Sequence, residues 1–440
     1  MKILVVGNGA REHAIAKALK ASKDCELYAF MKANNPAISK MSTDYSLGNI
    51  CNPADVAEYA RSMDVKLAVV GPEAPLGAGV VDALEEDGIM CVGPRKTAAR
   101  LETDKSFARE LMRKHKIKGT PEFGIFEDAD EACTFIDEFG EDLAIKPAGL
   151  TAGKGVKIMG EHFGPDGAKE YVREILSTKM GEIPKVVLEE RLIGEEFTLQ
   201  GFVDGDRVVG TPTVQDHKRA YDGDKGPNTG GMGSYSDAGY ILPFLTKKDY
   251  EDGLEIMRET IKAVKKETGT PYKGFLYGQF MATKDGLKVV EFNARLGDPE
   301  AMNILSVLES DMAEICEKIA TGKLTDDLRF AKKATVCKYL VPEGYPDNPL
   351  NNVEVEIDDA KILQAGGRLY YASVREEGGK ILTSSSRAIA VVGVEDTIDE
   401  AEKTAQKCIG YVSGKLAHRK DIGTKALVER RISHMKQVRG

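Results

Sequence analysis

At 440 residues the chain exceeds what one hydrophobic core organises, because single cores stop growing near ~250–300 residues, so several domains are expected. Hydrophobic residues at 42% and charged residues at 30% exclude wholesale disorder and fibrous repeats. A formal charge of -9 leaves no broad basic face for nucleic acid, and no run approaches the ~18 apolar residues of a membrane span.

The chain opens on Ile3–Val6, an apolar run too short for a signal-peptide core, which points to the cytoplasm. The seven cysteines stand at least 21 positions apart, so zinc and CxxC redox spacings are excluded and reduced, mostly buried thiols are expected. Through the first hundred residues, short β-rich runs (Ile3–Val6, Leu27–Phe30, Leu67–Val70, Met90–Val92) alternate with amphipathic stretches (Glu12–Lys20, Ala54–Arg61, Val80–Asp87). That alternation predicts an α/β domain with a parallel sheet covered on both faces.

Gly7-Asn8-Gly9-Ala10-Arg11-Glu12-His13 follows the first strand and opens a helix, where free backbone N–H groups and the dipole favour an anion. Glu12 replaces the third glycine of GxGxxG, and no ribose-binding acid follows Phe30, so a phosphate-bearing sugar is preferred to a dinucleotide. Gly71-Pro72-Glu73 follows another strand of the same sheet, and Glu73 could hold sugar hydroxyls.

A charged helix is expected from Thr103 to Lys118. Leu143–Lys146 and Val156–Met159 then read as strands around a glycine loop, Gly149 to Gly155. The spacing is not that of a P-loop, and the chain continues into a strand. The loop instead suits a flexible flap over polyphosphate, with Lys146 and Lys154 neutralising oxygens. Residues 187–197 carry Glu189, Glu190, Arg191, Leu192 and Glu196 at a strand end, an acidic turn with no specific reading by itself.

Residues 215–233 hold Asp216, His217, Lys218, Arg219, Asn228 and Thr229 with almost no core-forming side chain, and so read as a long functional loop for a polar small substrate. A hairpin is expected over Phe275–Thr283 and Leu287–Phe292, turned by Asp285-Gly286. Period-two alternation puts Val289, Glu291 and Asn293 on one strand face, and carboxylate and amide oxygens beside polyphosphate are what Mg²⁺ selects. Arg295 could fork a carboxylate. Beyond Lys332, alternating strands and one helix capped by Thr397 and Glu400 predict a separate C-terminal domain.

GNGAREHA (7–14), GPEAPL (71–76), KPAGLTAGKGV (146–156), GEEF (194–197), QDHKR (215–219), GPNTGGMG (226–233), EFNARLGDPE (291–300) and RKDIG (419–423) together resemble the phosphoribosylamine-glycine ligases of the ATP-grasp superfamily, over nearly the whole chain. The resemblance implies three parts: an N-terminal parallel-sheet α/β domain (1–102) for the sugar phosphate, a central ATP-grasp pair of α+β subdomains, and a small mixed α/β C-terminal domain (333–440). Within the pair, 103–120 with 190–332 would form the large subdomain and 121–189 the lid.

The resemblance also assigns residues. Lys105, Lys146, Gly153 and Lys154 would meet the phosphates of ATP, Glu189 to Leu192 the adenine, Glu196 the ribose, and Glu291 with Asn293 an Mg²⁺ or Mn²⁺ ion. Phosphoribosylamine would take Gly9, Arg11, Glu12, Asn35, Gly71 and Glu73. Glycine would lie near Asp216, Lys218, Asn228, Thr229, Arg295, Asp298 and Glu300, with Arg295, Lys154 and Asp216 catalytic.

The implied reaction proceeds through glycyl phosphate with release of ADP, in de novo purine synthesis. The partners are small molecules, with neither nucleic acid nor membrane, and a monomer is favoured. Ala10, Thr103-Asp104 and Leu296 depart from the family pattern without removing functional side chains, whereas Ser384–Arg387 stands where a glycine-rich segment is usual. Another ATP-grasp ligase or carboxylase, or a nucleotide-binding regulator without catalysis, are the competing readings.

Overall fold

The computed structural model describes residues 1–140, 142–151 and 155–440. The first layer is a five-stranded parallel sheet in the order Asp44–Leu47, Glu26–Met31, Lys2–Val6, Leu67–Val70, Met90–Val92. Helices cover both of its faces, so Ile3, Leu4, Val5 and Val6 are wholly buried, as a continuous run of branched residues requires. Strand order reverses at Lys2–Val6, opening a crevice between its carboxyl end and that of Leu67–Val70, where parallel sheets receive ligands. Gly7 and Gly71 stand at those two ends.

The central region has two antiparallel sheets. The larger runs Val208–Gly210, Glu195–Asp204, Lys273–Thr283, Gly286–Asn293 and is backed by the helix Lys247–Thr268. That helix starts at a Thr246/Asp249 capping box and stops at Gly269, whose φ of 70° suits glycine. The smaller sheet runs Phe123–Phe126, Val186–Glu190, Leu143–Pro147, Lys157–Ile158. Ile136, Ile145, Tyr171, Val172 and Leu188 close its own small core beneath the helices Ala129–Phe139 and Pro165–Thr178.

The C-terminal sheet reaches beyond the residues expected for it. Its order is Gln215–Asp216, Gly233–Ser236, Ala334–Pro342, Ile389–Glu395, Gly367–Tyr371, so two strands come from the polar segment. The reason is burial. Every residue of Ala334–Pro342 is buried, and a strand buried throughout needs a neighbour on each edge.

Two further expectations change. The helix read over Thr103–Lys118 is shorter, Lys105–Lys114, and a separate helix, Lys96–Thr103, ends just before it at Asp104 (φ -142°, ψ 93°), which accepts from the Phe107 N–H at 3.1 Å as an N-cap. Lys105 therefore begins a helix. A terminal helix, Lys425–Arg439, was not anticipated; it returns to the larger central sheet, burying Leu427 and Met435. No described helix is long and apolar enough to cross a membrane.

Candidate active site

The larger central sheet presents Glu291 and Asn293 on one face, opposite Gln279 and Tyr277 respectively. Val289 pairs with Phe280, however, so it lies on the other face, and the sequence expectation of three residues on one face fails. A bulge at Val290 is the cause: one extra residue reverses the alternation. The bulge has a use. Arg109 Nη2 donates to the Val289 and Val290 carbonyls at 3.0 and 2.8 Å, and Lys146 Nζ donates to the Val290 carbonyl at 3.1 Å, joining the two sheets.

Glu189 completes that junction, taking both arms of Arg109 at 2.7 and 2.8 Å and Lys146 at 2.7 Å. Burial pushes its carboxyl up, but Arg109 and Lys146 prevail and hold it down to about 2. Glu189 thus fixes Lys146. Arg109 was missed in the sequence, although a signal existed: it sits on the apolar stripe of its helix, three residues before buried Met112. Lys105 Nζ donates to the Gly149 carbonyl at 2.9 Å, and its backbone N–H to the Ala148 carbonyl at 2.8 Å.

Glu291 is the centre of the arrangement. Burial works against its charge, yet Lys218, Lys105, Lys146 and Arg295 together keep its carboxyl below the ordinary range. Lys218 Nζ lies 2.8 Å from Glu196 Oε1; burial opposes its charge, and Glu196, Asp216 and Glu291 outweigh it and raise its pKa. Burial, aided by Glu300, Glu196 and Glu291 and opposed by Lys218, pushes Asp216 up to about 8. Glu300, also pushed up by burial, accepts from the Tyr277 hydroxyl at 2.9 Å.

The segment 215–233, read as a loop, is an ordered hairpin, Arg219–Tyr221 against Lys225–Asn228, flanked by the two sheet strands. Thr229 closes it, its N–H and hydroxyl both donating to the Lys218 carbonyl at 2.8 Å. Asn228 pairs with Arg219 across the hairpin. Arg387, in the divergent segment, donates to the Gly230 and Gly231 carbonyls at 2.7 and 2.9 Å and lies 3.3 Å from Asp298 Oδ1, which also accepts from Tyr339 at 2.6 Å. Arg387 therefore braces the hairpin.

In the first domain, Glu12 caps its own helix: Oε2 accepts from the Gly9 N–H at 2.7 Å and Oε1 from Arg11 at 2.6 Å. Its side chain passes between the two strand ends, where a Cβ on Gly7 would lie 2.7 Å from Glu12 Cγ and one on Gly71 closer still. Asn35 caps the helix Pro36–Met41 and donates to the carbonyls of Asn8 at 3.0 Å and Tyr371 at 2.9 Å, tying the glycine turn to the C-terminal sheet. His13 accepts from the Tyr371 N–H at 2.8 Å and is buried, which makes it a packing residue.

Glu73 reaches Arg295 at 3.4 Å and Arg11 at 4.0 Å; burial raises its carboxyl, but these arginines bring it down to about 2. Arg295 also meets Glu102 at 3.1 Å and the Leu296 carbonyl at 3.3 Å. All three Arg295 contacts are longer than the ~2.7–2.9 Å of a strong charged bond, so the guanidinium is loosely held. Glu102, absent from the sequence reading, lies on a buried stripe with Ala98 and Ala99 and accepts from the Ala294 N–H at 2.6 Å. Burial pushes Glu102 up to about 7.

Glu190 pairs with Lys288 at 2.8 Å and Arg191 with Asp142 at 2.8 Å, placing both, with Leu192, at the junction of the two central sheets. Gly153 and Lys154 lie outside the described residues.

Profiles of the phosphoribosylglycinamide synthetase N domain, ATP-grasp (A) domain and C domain match residues 1–102, 103–301 and 335–425. The chain belongs to this ligase family. Its relatives named phosphoribosylamine–glycine ligase include those of Methanopyrus kandleri and Methanosarcina barkeri, each 53% identical over the full length of both chains. A crystal structure of the Thermotoga maritima phosphoribosylamine–glycine ligase superposes with a TM-score of 0.81 at 28% identity, covering 96% of this chain and all of that one. The biotin carboxylase domain of Hydrogenobacter thermophilus 2-oxoglutarate carboxylase, in complex with MgADP, ADP and bicarbonate, gives 0.73 at 17% identity over 99% and 93% of the two chains, which establishes a shared fold. The family membership makes the chain an ATP-grasp ligase of purine biosynthesis.

Proposed function

We propose that the chain joins glycine to 5-phosphoribosylamine with ATP, through glycyl phosphate, giving glycinamide ribonucleotide, ADP and phosphate. The observation that carries this reading is the half-buried carboxylate Glu291, on which the charges of Lys105, Lys146, Lys218 and Arg295 converge. Lys146, Lys218 and Arg295 are also held by Glu189, by Glu196, and by Glu73 with Glu102, which fixes these cations around the site. Such a preset group of cations suits a polyphosphate together with a substrate carboxylate.

The reaction needs such a site. A carboxylate does not acylate an amine at neutral pH, because oxide is an impossible leaving group. Glycine's carboxylate oxygen attacks the γ-phosphorus, ADP leaves, and the sugar amine then displaces phosphate as the amide forms. Lys105 and Lys146 neutralise the transferring phosphoryl group, with Gly153 and Lys154 assigned to the covering flap. The loosely held fork of Arg295 takes the glycine carboxylate, beside Asp216, Lys218, Asn228, Thr229, Asp298 and Glu300. Asp216, pushed up toward neutrality, is suited to proton transfer at the amine.

Glu291 and Asn293 supply neighbouring oxygens on one strand face, 3.5 Å from amide to carboxylate, a donor set that fits Mg²⁺ or Mn²⁺ sharing substrate phosphates. A bound ion would spread the charge of the triphosphate. Glu189 to Leu192 and Glu196 are assigned to the nucleoside. Gly9, Arg11, Glu12, Asn35, Gly71 and Glu73 are assigned to the sugar phosphate at the strand-order reversal. In domain terms, 1–102 binds the sugar, 103–120 with 190–332 and the lid 121–189 enclose ATP, and 333–440 braces both. The working unit is a monomer in the cytoplasm.

The test uses glycine labelled with ¹⁸O at both carboxylate positions. One labelled atom should reach inorganic phosphate per amide formed, with ADP as co-product. Unlabelled phosphate, or AMP with pyrophosphate, would overturn the mechanism.

A further inference from the structure

The substrate hairpin meets the rest of the protein at its tip. Asp222 Oδ1 accepts from the Lys420 N–H at 2.8 Å, Gly223 N–H donates to Asp421 at 2.9 Å, and Arg419 Nη2 reaches Asp224 at 3.0 Å. Arg430 and Arg431, on the terminal helix Lys425–Arg439, add contacts to Asp224 at 2.7 and 2.6 Å. Asp224 adopts φ 59°, the left-handed conformation that aspartate tolerates in a tight turn.

Arg431 differs from its neighbour in one respect. Its Nη1 also lies 3.5 Å from Glu195 Oε2, on the strand that carries Glu196, while Arg430 makes only the Asp224 contact among its ion pairs. Glu195 is buried and shared with His434 at 2.6 Å and Gln215 at 3.1 Å. The two carboxylates that Arg431 joins therefore lie on the two chain segments that bring Lys218 to Glu196. Both arms of this guanidinium are committed to carboxylates, while its buried Nε has no partner among the described residues. An unpaired buried donor is costly, which marks a geometry fixed by the other contacts.

We propose that Arg431 is a positioning residue for the ligase reaction: by spanning Asp224 and Glu195 it sets the distance between the substrate hairpin and the Glu196 strand, and so the placement of Lys218. This rests on the assignment of Lys218 to the glycine side of the site. A planar guanidinium reaches two acids at once; an ammonium is a point charge and does not.

The experiment compares Arg431→Met, Arg431→Lys, Arg430→Met and Asp224→Asn in steady-state assays with each substrate varied in turn, alongside thermal unfolding. Arg431→Met and Arg431→Lys should raise the KM for glycine about tenfold, matching a lost coupling of ~1.4 kcal/mol, while the KM for phosphoribosylamine stays within twofold. Arg430→Met, which loses an Asp224 contact but leaves Glu195 alone, should stay within twofold for every substrate.

A lowered melting temperature with an unchanged glycine KM would reduce Arg431 to a stability contact and overturn the proposal, as would equal effects from Arg430→Met. Should Arg431→Met fail to fold, Asp224→Asn decides: it keeps the side chain's shape while removing the charge that Arg431 spans, and an unshifted glycine KM there refutes the span. Wild-type protein that makes no ADP from glycine and phosphoribosylamine would refute the functional reading itself. An active wild type with unresponsive variants would refute only the role of Arg431.

Discussion

The wall that carries Lys146 and the hairpin that carries Lys218 face the same carboxylate, Glu291, but are held in place by different chemistry. Arg109, Glu189 and Lys146 form a closed triad with side chains only 3–7% exposed, completed by the main-chain oxygens that the Val290 bulge turns outward. The hairpin's tip rests on one buried guanidinium, Arg419, shared by Asp224 and Asp421. Elsewhere the hairpin is fixed by the Thr229 closure, by Arg387 on Gly230 and Gly231, and by more exposed ion pairs to the terminal helix and between Arg219 and Glu161. Buried charges are costly to separate, whereas exposed pairs are screened. On the proposed assignments the contrast suits the tasks: the phosphate groups take the more buried cradle and the small substrate the more exposed wall.

The largest effect should come at the point where both walls meet. Glu291→Ala leaves Lys105, Lys146, Lys218 and Arg295 without their shared carboxylate and removes the proposed metal oxygen. Turnover should fall by about 10³-fold or more, with far-ultraviolet circular dichroism unchanged. Asn293→Ala should follow in the same direction. Normal activity at saturating Mg²⁺ in either variant would detach that residue from the site.

Next comes the triad. Glu189→Ala strands Arg109 and Lys146 in the interior and should cost about 3–5 kcal/mol in urea unfolding. The pH dependence has a fixed sign. Because the Glu189 carboxyl is held down to about 2 against an ordinary 4.5, its contribution is complete above pH 4.5 and drains away as pH falls toward 2. Glu189→Gln should flatten the acid limb of the stability profile in that window. A limb as steep as in the wild type would show that Arg109 and Lys146 do not act on this group.

The smallest effect belongs to the hairpin's outer pair. Arg219 and Glu161 are 28% and 35% exposed, so a double-mutant cycle with Arg219→Met and Glu161→Gln should return a coupling of only ~0–1 kcal/mol. A coupling as large as that within the triad would erase the distinction between the two walls.

Much of this was legible in the sequence, for physical reasons. Branched runs such as Ile3–Val6 state their own burial, Asp285-Gly286 states its turn, and the eight motifs from Gly7 to Gly423 carry the family chemistry because catalysis ties residue type to short spacing. Lys146, Asp216, Lys218, Glu291 and Arg295 were named from these segments and Lys105 from the resemblance they carry, and the fold brings their charges within mutual influence.

Other features depended on partners far along the chain. The bulge that turns Val289 away from Glu291 depends on the strand Lys273–Thr283 opposite it. The strands hidden in residues 215–236 form because Ala334–Pro342, a hundred residues later, needs a neighbour at its edge. Arg109, Glu102 and Arg431 drew no attention until the fold brought them to partners 80, 192 and 207 positions away in sequence. Short-range pattern fixes an element's type and its local chemistry. Only tertiary packing decides which buried charges meet, since the energy of a charge pair depends on distance and burial, and neither is written in the order of residues.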